Sequence, residues 1–169
     1  GADQNEKIKF YKNKILVAQK ALDLDAVDGA ADKLLALKIS AADREWTMAQ
    51  KVWVSELQLN FGQAYQLTKH MKLPHLSKSD RELRLALLAE LAGIDARKHN
   101  EAFLKTTNNI RAANLVRVTL IKNSNAPWRE LEKHKSKLAL TPDLLAGITL
   151  ETFARDRNFK TGKTTIEIR

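Results

Sequence analysis

Apolar residues recur every three to four positions along most of this 169-residue chain, and Ser or Asp stands in front of several of these runs. That spacing places the apolar side chains on one face of an α-helix, which has to be buried against other helices. A Ser or Asp before the run accepts hydrogen bonds from the unpaired amides of the first helical turn. The pattern therefore predicts an all-α fold of about eight helices, either a multi-helix bundle or an irregular stack of helical hairpins.

The first two predicted helices lie before residue 40. One is expected from about Gln4 to Leu22, and the other follows a capping pair formed by Asp25 and Asp28 and ends near Leu37. A glycine in the second helix weakens it by about 1 kcal/mol relative to Ala. The face of the first helix that we expect to be buried carries Ile8, Ile15, Ala18 and Leu22.

The third predicted helix is long and central to the core. Ser40 followed by Asp43 marks its start, it continues to about Met71, and Gly62 is the candidate position for a kink. Two tryptophans on its apolar face bury enough surface to anchor a helical domain that has no disulfide. The residues expected on that face are Trp46, Ala49, Trp53, Leu57, Phe61, Ala64, Leu67 and Met71.

A clear break between helices is predicted at 72–78, which contains a proline and a histidine. Ser79 with Glu82 then forms the pattern of a capping box, and Gly93 is a typical residue after a helix end. These signals predict a helix over 80–92.

Further helix starts are predicted in the back half of the chain. Asp95 caps the first of these helices, and the polar run 106–109 either interrupts it or lies on its solvent side. Pro127 and Pro142 each stand where proline is tolerated, in the first turn of a helix. Gly147 ends the helix that begins near Pro142.

The domain organisation predicted for 1–169 is a single helical domain, with 72–78 as the candidate point of subdivision. No fixed period of about 30–45 residues is visible, so a repeat architecture has no support in the sequence. Residues 164–168 alternate polar and apolar side chains, which is typical of a β-strand. A short C-terminal strand, or a hairpin of 155–160 with 163–168, is therefore an optional addition to the all-α fold.

Positive charge is concentrated in the back half. The net charge is +9, but residues 1–90 carry 14 Lys and Arg against 12 Asp and Glu, whereas 91–169 carry 15 against 8. The stretch 97–137 holds ten cations and three acidic residues. An uneven charge distribution of this kind usually serves an anionic partner.

We expect that partner to be a nucleic acid, bound mainly through its phosphates. The alternative is a protein-interaction or assembly domain that docks an acidic protein surface or adds its C-terminal strand to another sheet. Trp128 and His134 lie among the cations and could stack on bases where exposed. The candidate contact residues are Arg97, Lys98, Lys105, Arg111, Arg117, Lys122, Arg129, Lys133, Lys135, Lys137, Arg155, Arg157, Lys160 and Lys163.

The segment 149–163 shows part of a helix-turn-helix pattern, with Ala154 at the helix crossing and Asn158 at the turn. Two features argue against that motif. Thr164 stands where an apolar anchor is needed, and Gly162 falls inside the second helix. A terminal hairpin, or a short amphipathic turn with a frayed end, is therefore preferred.

No catalytic or metal-binding motif is found. The chain has no Cys, and no histidine is expected to pair with a carboxylate at helical spacing; His70 and His75 are weak candidates for metal ligands. The segment 160–165 lacks the first glycine of a phosphate-binding loop, and the aspartates of 23–28 lack calcium-loop spacing and are read as a helix cap. We therefore predict a non-catalytic domain without a cofactor or metal.

The cellular location is only weakly indicated. Absence of Cys excludes disulfides and fits the cytoplasm and the periplasm equally. The sequence contains no run of about 18 apolar residues, so no membrane-spanning helix is predicted. A cytoplasmic location is expected, with the periplasm as the open alternative.

Overall fold

The computed structural model of the chain describes residues 2–138 together with Pro142, Ala146 and Ile148. Over these residues the fold is all-α, as predicted, with eight α-helices, one short 3₁₀ helix and no β-strand. The elements are α1 (Ala2–Lys20), α2 (Leu24–Leu35), α3 (Ala41–Leu57), α4 (Phe61–Lys69), α5 (Lys78–Leu91), α6 (Arg97–Thr106), α7 (Ile110–Lys122), α8 (Pro127–His134) and the 3₁₀ helix Lys135–Lys137.

The predictions for 149–169 lie outside the described residues. They comprise the strand, the hairpin, the helix-turn-helix pattern and the candidate cations Arg155, Arg157, Lys160 and Lys163.

The chain divides into two compact units, Gly1–His99 and Asn100–Arg169, which we call the first and second unit. The segment 72–78 lies inside the first unit and connects α4 to α5, so the predicted break between helices is confirmed. Whether the two units act as one domain stays a prediction.

Helices of the first unit pack in chain order, α1 on α2, α2 on α3, α3 on α4 and α4 on α5. Short connections between amphipathic helices favour this arrangement, because each helix then buries its apolar face against its neighbour. Two apolar clusters result. Ile15 and Leu34 of the first hairpin share one cluster with Val54 of α3, whereas Ala64 and Leu85 belong to a second cluster formed by α3, α4 and α5.

The turns that follow α1, α3 and α5 share one backbone geometry. Each contains a residue in the left-handed region: Leu22 (φ 53°), Leu59 (φ 56°) and Gly93 (φ 71°). In each turn the following amide donates to the carbonyl five residues earlier, which is the Schellman pattern of helix termination. The bonds are Asp23 to Ala18 (2.9 Å), Asn60 to Ser55 (2.7 Å) and Ile94 to Ala89 (2.8 Å).

This shared turn places α1, α3 and α5 in register as a structural repeat. Equivalent residues are buried in each hairpin: Ile15, Val52 and Ala86, and one turn further along Ala18, Ser55 and Ala89. Other equivalent positions differ in chemistry, as Lys14, Lys51 and Leu85 do. Because these positions share no common residue type, the recurrence is present in the backbone and not visible in the sequence.

A buried lysine joins α2 to α3. The Nζ of Lys51 donates to Asp28 Oδ1 at 2.7 Å and to Asp32 Oδ1 at 2.6 Å. Burial by itself lowers the pKa of Lys51, but the hydrogen bonds and charges of the two aspartates outweigh it and raise that pKa above its ordinary value. Lys12 of α1 similarly donates to Asp43 of α3, and this hydrogen bond lowers the pKa of Asp43 against the opposing effect of burial.

The predicted long helix to Met71 was wrong, because the chain leaves the helix at Leu57 and starts a new one after Asn60. Leu59 adopts positive φ in the turn, and the Asn60 side chain accepts from the amide of Gln63 at 3.2 Å. Gly62 lies within the new helix and makes no kink between the two. The predicted apolar face is therefore divided between the two clusters, with Trp46 and Trp53 packed on one and Phe61, Ala64, Leu67 and Met71 on the other.

Two leucines expected on buried faces are exposed. Leu22 lies in the first hairpin turn with 68% of its surface accessible, and Leu57 ends α3 with 49% accessible. Both lie at helix ends, where the turn rotates the chain away from the buried face.

Two helix starts lie nearby but not at the predicted residues. Asp23, and not the pair Asp25 and Asp28, caps α2; Ser77, and not Ser79, caps α5. In each helix the chain enters two residues earlier than predicted. The capping oxygens accept from Ala26 at 3.0 Å and from Asp80 at 3.1 Å.

Other local signals are confirmed. Ser40 caps α3, Asp95 accepts from the amide of Arg97 at 2.9 Å, and Pro127 is the first residue of α8. The polar run 106–109 does interrupt the helix, because Asn109 caps α7.

The second unit has a smaller core on α7 and α8. Val118 and Ile121 of α7 form a buried cluster with Ile148, and Leu131 and Leu138 pack against it. This packing holds α7 beside the 3₁₀ helix and so positions the site described next.

Candidate nucleic-acid interface

The ten cations predicted between 97 and 137 are divided between the two units. Arg97 and Lys98 belong to the first unit, and the other eight lie on α6, α7, α8 and the 3₁₀ helix of the second. Within the part of the chain that the structure describes, the side chains of five of the ten are not engaged in an ion pair or hydrogen bond: Lys98, Lys105, Arg111, Arg129 and Lys137.

The remaining cations have local partners. Lys133 lies 3.4 Å from Glu130 and Lys135 lies 2.6 Å from Glu132, both within one helical turn. Both partners of the Lys135–Glu132 pair are exposed, and such pairs are weak, so Lys135 remains able to exchange its partner for a phosphate. Glu130, by contrast, is buried. Arg97 and Lys122 also make interactions within the protein.

A surface cleft of about 490 Å³ lies between the α6–α7 loop, α7 and the 3₁₀ helix. Two cations, Arg117 and Lys137, line it. The guanidinium of Arg117 donates to the Lys137 carbonyl at 3.4 Å, which uses one of its five N–H groups and holds it at the cleft. The other lining residues are Leu104, Thr107, Asn108, Asn109, Ile110 and Ala113.

The loop 107–109 is ordered by its own side chains. The Thr107 hydroxyl accepts from the Asn109 amide at 3.1 Å, and the Asn109 side chain accepts from the Ala112 amide at 3.0 Å. These bonds use the two side-chain oxygens as acceptors only, so the Thr107 O–H and the Asn109 side-chain N–H groups can still donate to a ligand. Asn108, Arg117 and Lys137 are the other described polar side chains that line the cleft.

No carboxylate lies among the described residues that line the cleft, and α7 itself contains no acidic residue. The site is therefore electropositive, and an arginine beside a lysine can bind a phosphate or carboxylate through charge-assisted hydrogen bonds. Lys105, in the last turn of α6, and Arg111, in the first turn of α7, flank the same loop. The structure thus brings together at one loop four of the predicted cations: Lys105, Arg111, Arg117 and Lys137.

The two aromatic candidates differ in accessibility. Trp128 is 36% exposed and can offer part of its ring to a base. His134 is largely buried, and burial lowers its pKa, although Glu130 at 3.5 Å opposes that effect. His134 therefore adds no positive charge near neutral pH. The expectation that no histidine pairs with a carboxylate at helical spacing was wrong for this i, i+4 pair.

A hydrogen-bonded chain in the first unit was not predicted. His99 Nδ1 lies 2.7 Å from Glu82 Oε2, and His99 Nε2 lies 2.8 Å from the hydroxyl of Tyr65. With the proton on Nδ1, the ring donates to the carboxylate and accepts from the phenol, so all three groups are satisfied. The chain links α4, α5 and the first turn of α6. Separations of 17 and 34 residues left no signal for it in the sequence.

Within the described part of the chain no cluster of His, Asp or Glu has the arrangement of a metal site. Asp23 is a helix cap, in agreement with the interpretation of 23–28.

Comparison of the chain with known protein families, with curated proteins and with solved structures finds no match in any of the three. Among the described helices, none has the length and apolar character needed to cross a membrane.

Proposed function

We propose that this protein is a non-catalytic nucleic-acid-binding domain whose second unit contacts phosphates. The observation that supports the proposal best is the cleft beside α7, whose described lining residues include Arg117 and Lys137 and no carboxylate. Lys105 and Arg111 flank the same loop and are not paired within the described part of the chain. Several cations within reach of one backbone are what counterion release requires.

The dimensions of the site fit a short stretch of one strand. From Ile110 to Arg117, α7 advances by about 10 Å at 1.5 Å per residue. That length corresponds to about three phosphates at 3.4 Å per nucleotide. Because the cleft offers Asn108 and no array of side chains that could read base edges, we propose binding with little sequence preference.

A fluorescence-anisotropy titration of labelled single-stranded and duplex DNA and RNA tests the proposal. With three phosphate contacts, the logarithm of the affinity should fall with the logarithm of salt concentration at a slope of about −2.7 for a duplex and −2.1 for a single strand. Substituting Arg117→Gln with Lys137→Gln should weaken binding about 50-fold at 100 mM salt and lower the slope by about 2.

The matched control is Lys33→Gln with Lys38→Gln, which removes the same charge from exposed lysines of the first unit. Equal loss of affinity in the two double variants would show that binding follows net charge and not the cleft. Absence of binding to all four nucleic acids at 50 mM salt would refute the proposed function.

A further inference from the structure

Helix α1 exposes apolar side chains on the face directed away from α2. Phe10 is 60% exposed and Val17 is 68% exposed, and they lie two turns apart with Lys14 between them. We call Phe10, Lys14 and Val17 the outer stripe. A helix turns by about 100° per residue, so lysines flank the line from Phe10 to Val17 on both sides. Lys7 and Lys14 lie on one side of it, and Lys9 and Lys20 lie on the other.

The structural repeat shows what the outer stripe corresponds to. Counting from the shared turn residues, the three equivalent positions in α3 and in α5 face the preceding hairpin. Val54 is 2% exposed within the cluster of α1 and α2, and Leu88 is 4% exposed within the cluster that contains Ala64 and Met71 of the α3–α4 hairpin. The equivalents are Thr47, Lys51 and Val54 in α3, and Arg81, Leu85 and Leu88 in α5.

The chemistry of the covering surface can also be inferred from the repeat. Lys51, the equivalent of Lys14, is received by Asp28 and Asp32, one turn apart on α2 of the preceding hairpin. Lys14 is exposed at the equivalent position of α1, beside the apolar residues of the outer stripe. It is therefore complementary to a helix that, like α2, bears two carboxylates at i and i+4 next to small apolar residues. The end hairpin of a stacked array normally has a polar outer face, and the outer stripe departs from that rule.

Within the described part of the chain, neither α2 nor α8 of a second copy offers that surface. The acidic pair of α2 is already bound to Lys51 of its own chain. The corresponding helix α8 of the second unit carries Lys133 and Lys135 at its end, which would repel the lysines around the outer stripe.

We propose that the outer stripe of α1 is a docking surface for an acidic α-helical hairpin, which stacks on α1 as α1–α2 stacks on α3. The face of that hairpin carries two carboxylates one turn apart that pair with Lys14, and small apolar side chains that cover Phe10 and Val17. The interaction is independent of the cleft in the second unit.

A tandem chain tests this proposal with a hairpin of known sequence. Residues 1–40 are fused in front of Gln4 of the full protein, so that Ser40 precedes Gln4 as it precedes Ala41 in the repeat register. The chain contains no Cys, so Val17→Cys introduces a single thiol at the inner copy or at the outer copy. Docking should slow the reaction of the inner thiol with a maleimide by about 10-fold or more relative to the outer thiol, since reaction then requires local opening.

Charge variants of the added hairpin test the acidic requirement. Asp28→Lys with Asp32→Lys in that hairpin alone should abolish the protection of the inner thiol, whereas Asp25→Lys, at an exposed position of α2, should not. Circular dichroism reports whether the added hairpin is helical.

Two outcomes overturn the proposal. One is an inner thiol that reacts as fast as the outer one, whether the added hairpin is helical or not. The other concerns the 169-residue chain without the added hairpin. If its Val17→Cys thiol reacts more slowly as the protein concentration rises, a second copy is the occupant.

Discussion

At the turn residues with positive φ, we predict that a glycine variant is more stable than an alanine variant, which reverses the order found inside helices. Leu59 has a φ of 56° and is 74% exposed, so the turn forces a branched side chain into the left-handed region with little packing in return. Leu59→Ala and Leu59→Gly remove the same contacts and differ only in backbone freedom. The left-handed conformation costs an L-residue about 1–2 kcal/mol, and the greater unfolded-state entropy of glycine offsets about 0.4–1 kcal/mol of that advantage.

We therefore expect the Gly variant to be more stable than the Ala variant by about 0.5–1 kcal/mol, a rise of about 2–4 °C per kcal/mol in Tm for a chain of this size. The same comparison at Leu22 should agree. Gly93→Ala should lose a similar amount, because a Cβ at Gly93 meets no atom within 4 Å and only the backbone conformation opposes it.

Urea unfolding followed by tryptophan fluorescence and by circular dichroism measures these differences. The matched control is Leu87, exposed in the interior of α5, where Gly should be less stable than Ala by about 1 kcal/mol. A Leu59→Gly variant less stable than Leu59→Ala would refute the assigned turn geometry and with it the register that relates the hairpins.

Two further predictions concern polar contacts of the first unit. Lys51→Met should destabilise the protein by about 1–3 kcal/mol at pH 8, because Asp28 and Asp32 lose their cation. The two aspartates raise the pKa of Lys51 on folding, so its stabilising contribution is complete below the ordinary lysine range and is lost as the pH rises through the folded-state pKa. The difference in free energy of unfolding between the two proteins should therefore narrow as the pH rises above the ordinary lysine range, and a constant difference would contradict the assignment. Tyr65→Phe should lower the free energy of unfolding by about 1 kcal/mol, because the hydrogen bond to His99 is lost. The control is Tyr11→Phe, which should change the free energy of unfolding by less than about 0.5 kcal/mol, because the Tyr11 hydroxyl makes no hydrogen bond within the described residues. Equal effects of the two Tyr→Phe variants in urea unfolding would show that the bond to His99 is not stabilising.

Signals confined to one helical turn were read correctly from the sequence or missed by two residues. Ser40, Asp95 and Pro127 act at helix starts because capping and the fixed φ of proline depend on the next three or four residues only. Ser77 and Ser79 are both adequate caps, and the choice between them depends on where the preceding loop delivers the chain.

The division of the predicted long helix had one local signal, the N-cap residue Asn60, which the continuous apolar spacing outweighed in the prediction. No glycine or proline stands at 58–60, and the apolar spacing continues across the break. The helix ends there because α4 buries Ala64 and Tyr65 by folding back against α3 and α5. Burial against two neighbours outweighs the cost of placing Leu59 at positive φ, and packing of that kind involves residues far apart in the chain.

The candidate site shows the same division. Composition alone located the positive charge between 97 and 137, because a surplus of cations is a property of the residues themselves. Which cations meet depended on tertiary packing: α7 and the 3₁₀ helix bring Arg117 and Lys137 to one cleft across 20 residues of chain, while Arg97 and Lys98 fall in the other unit. The sequence by itself thus determined the all-α class, the helix starts at Ser40, Asp95 and Pro127 and the sign of the surface charge, since these follow from the residues themselves or from interactions within about one turn. The tertiary structure alone decided the hairpin register, the partners of Lys51 and His99 and the cleft, because each depends on contacts between helices whose energy is not encoded in any one segment.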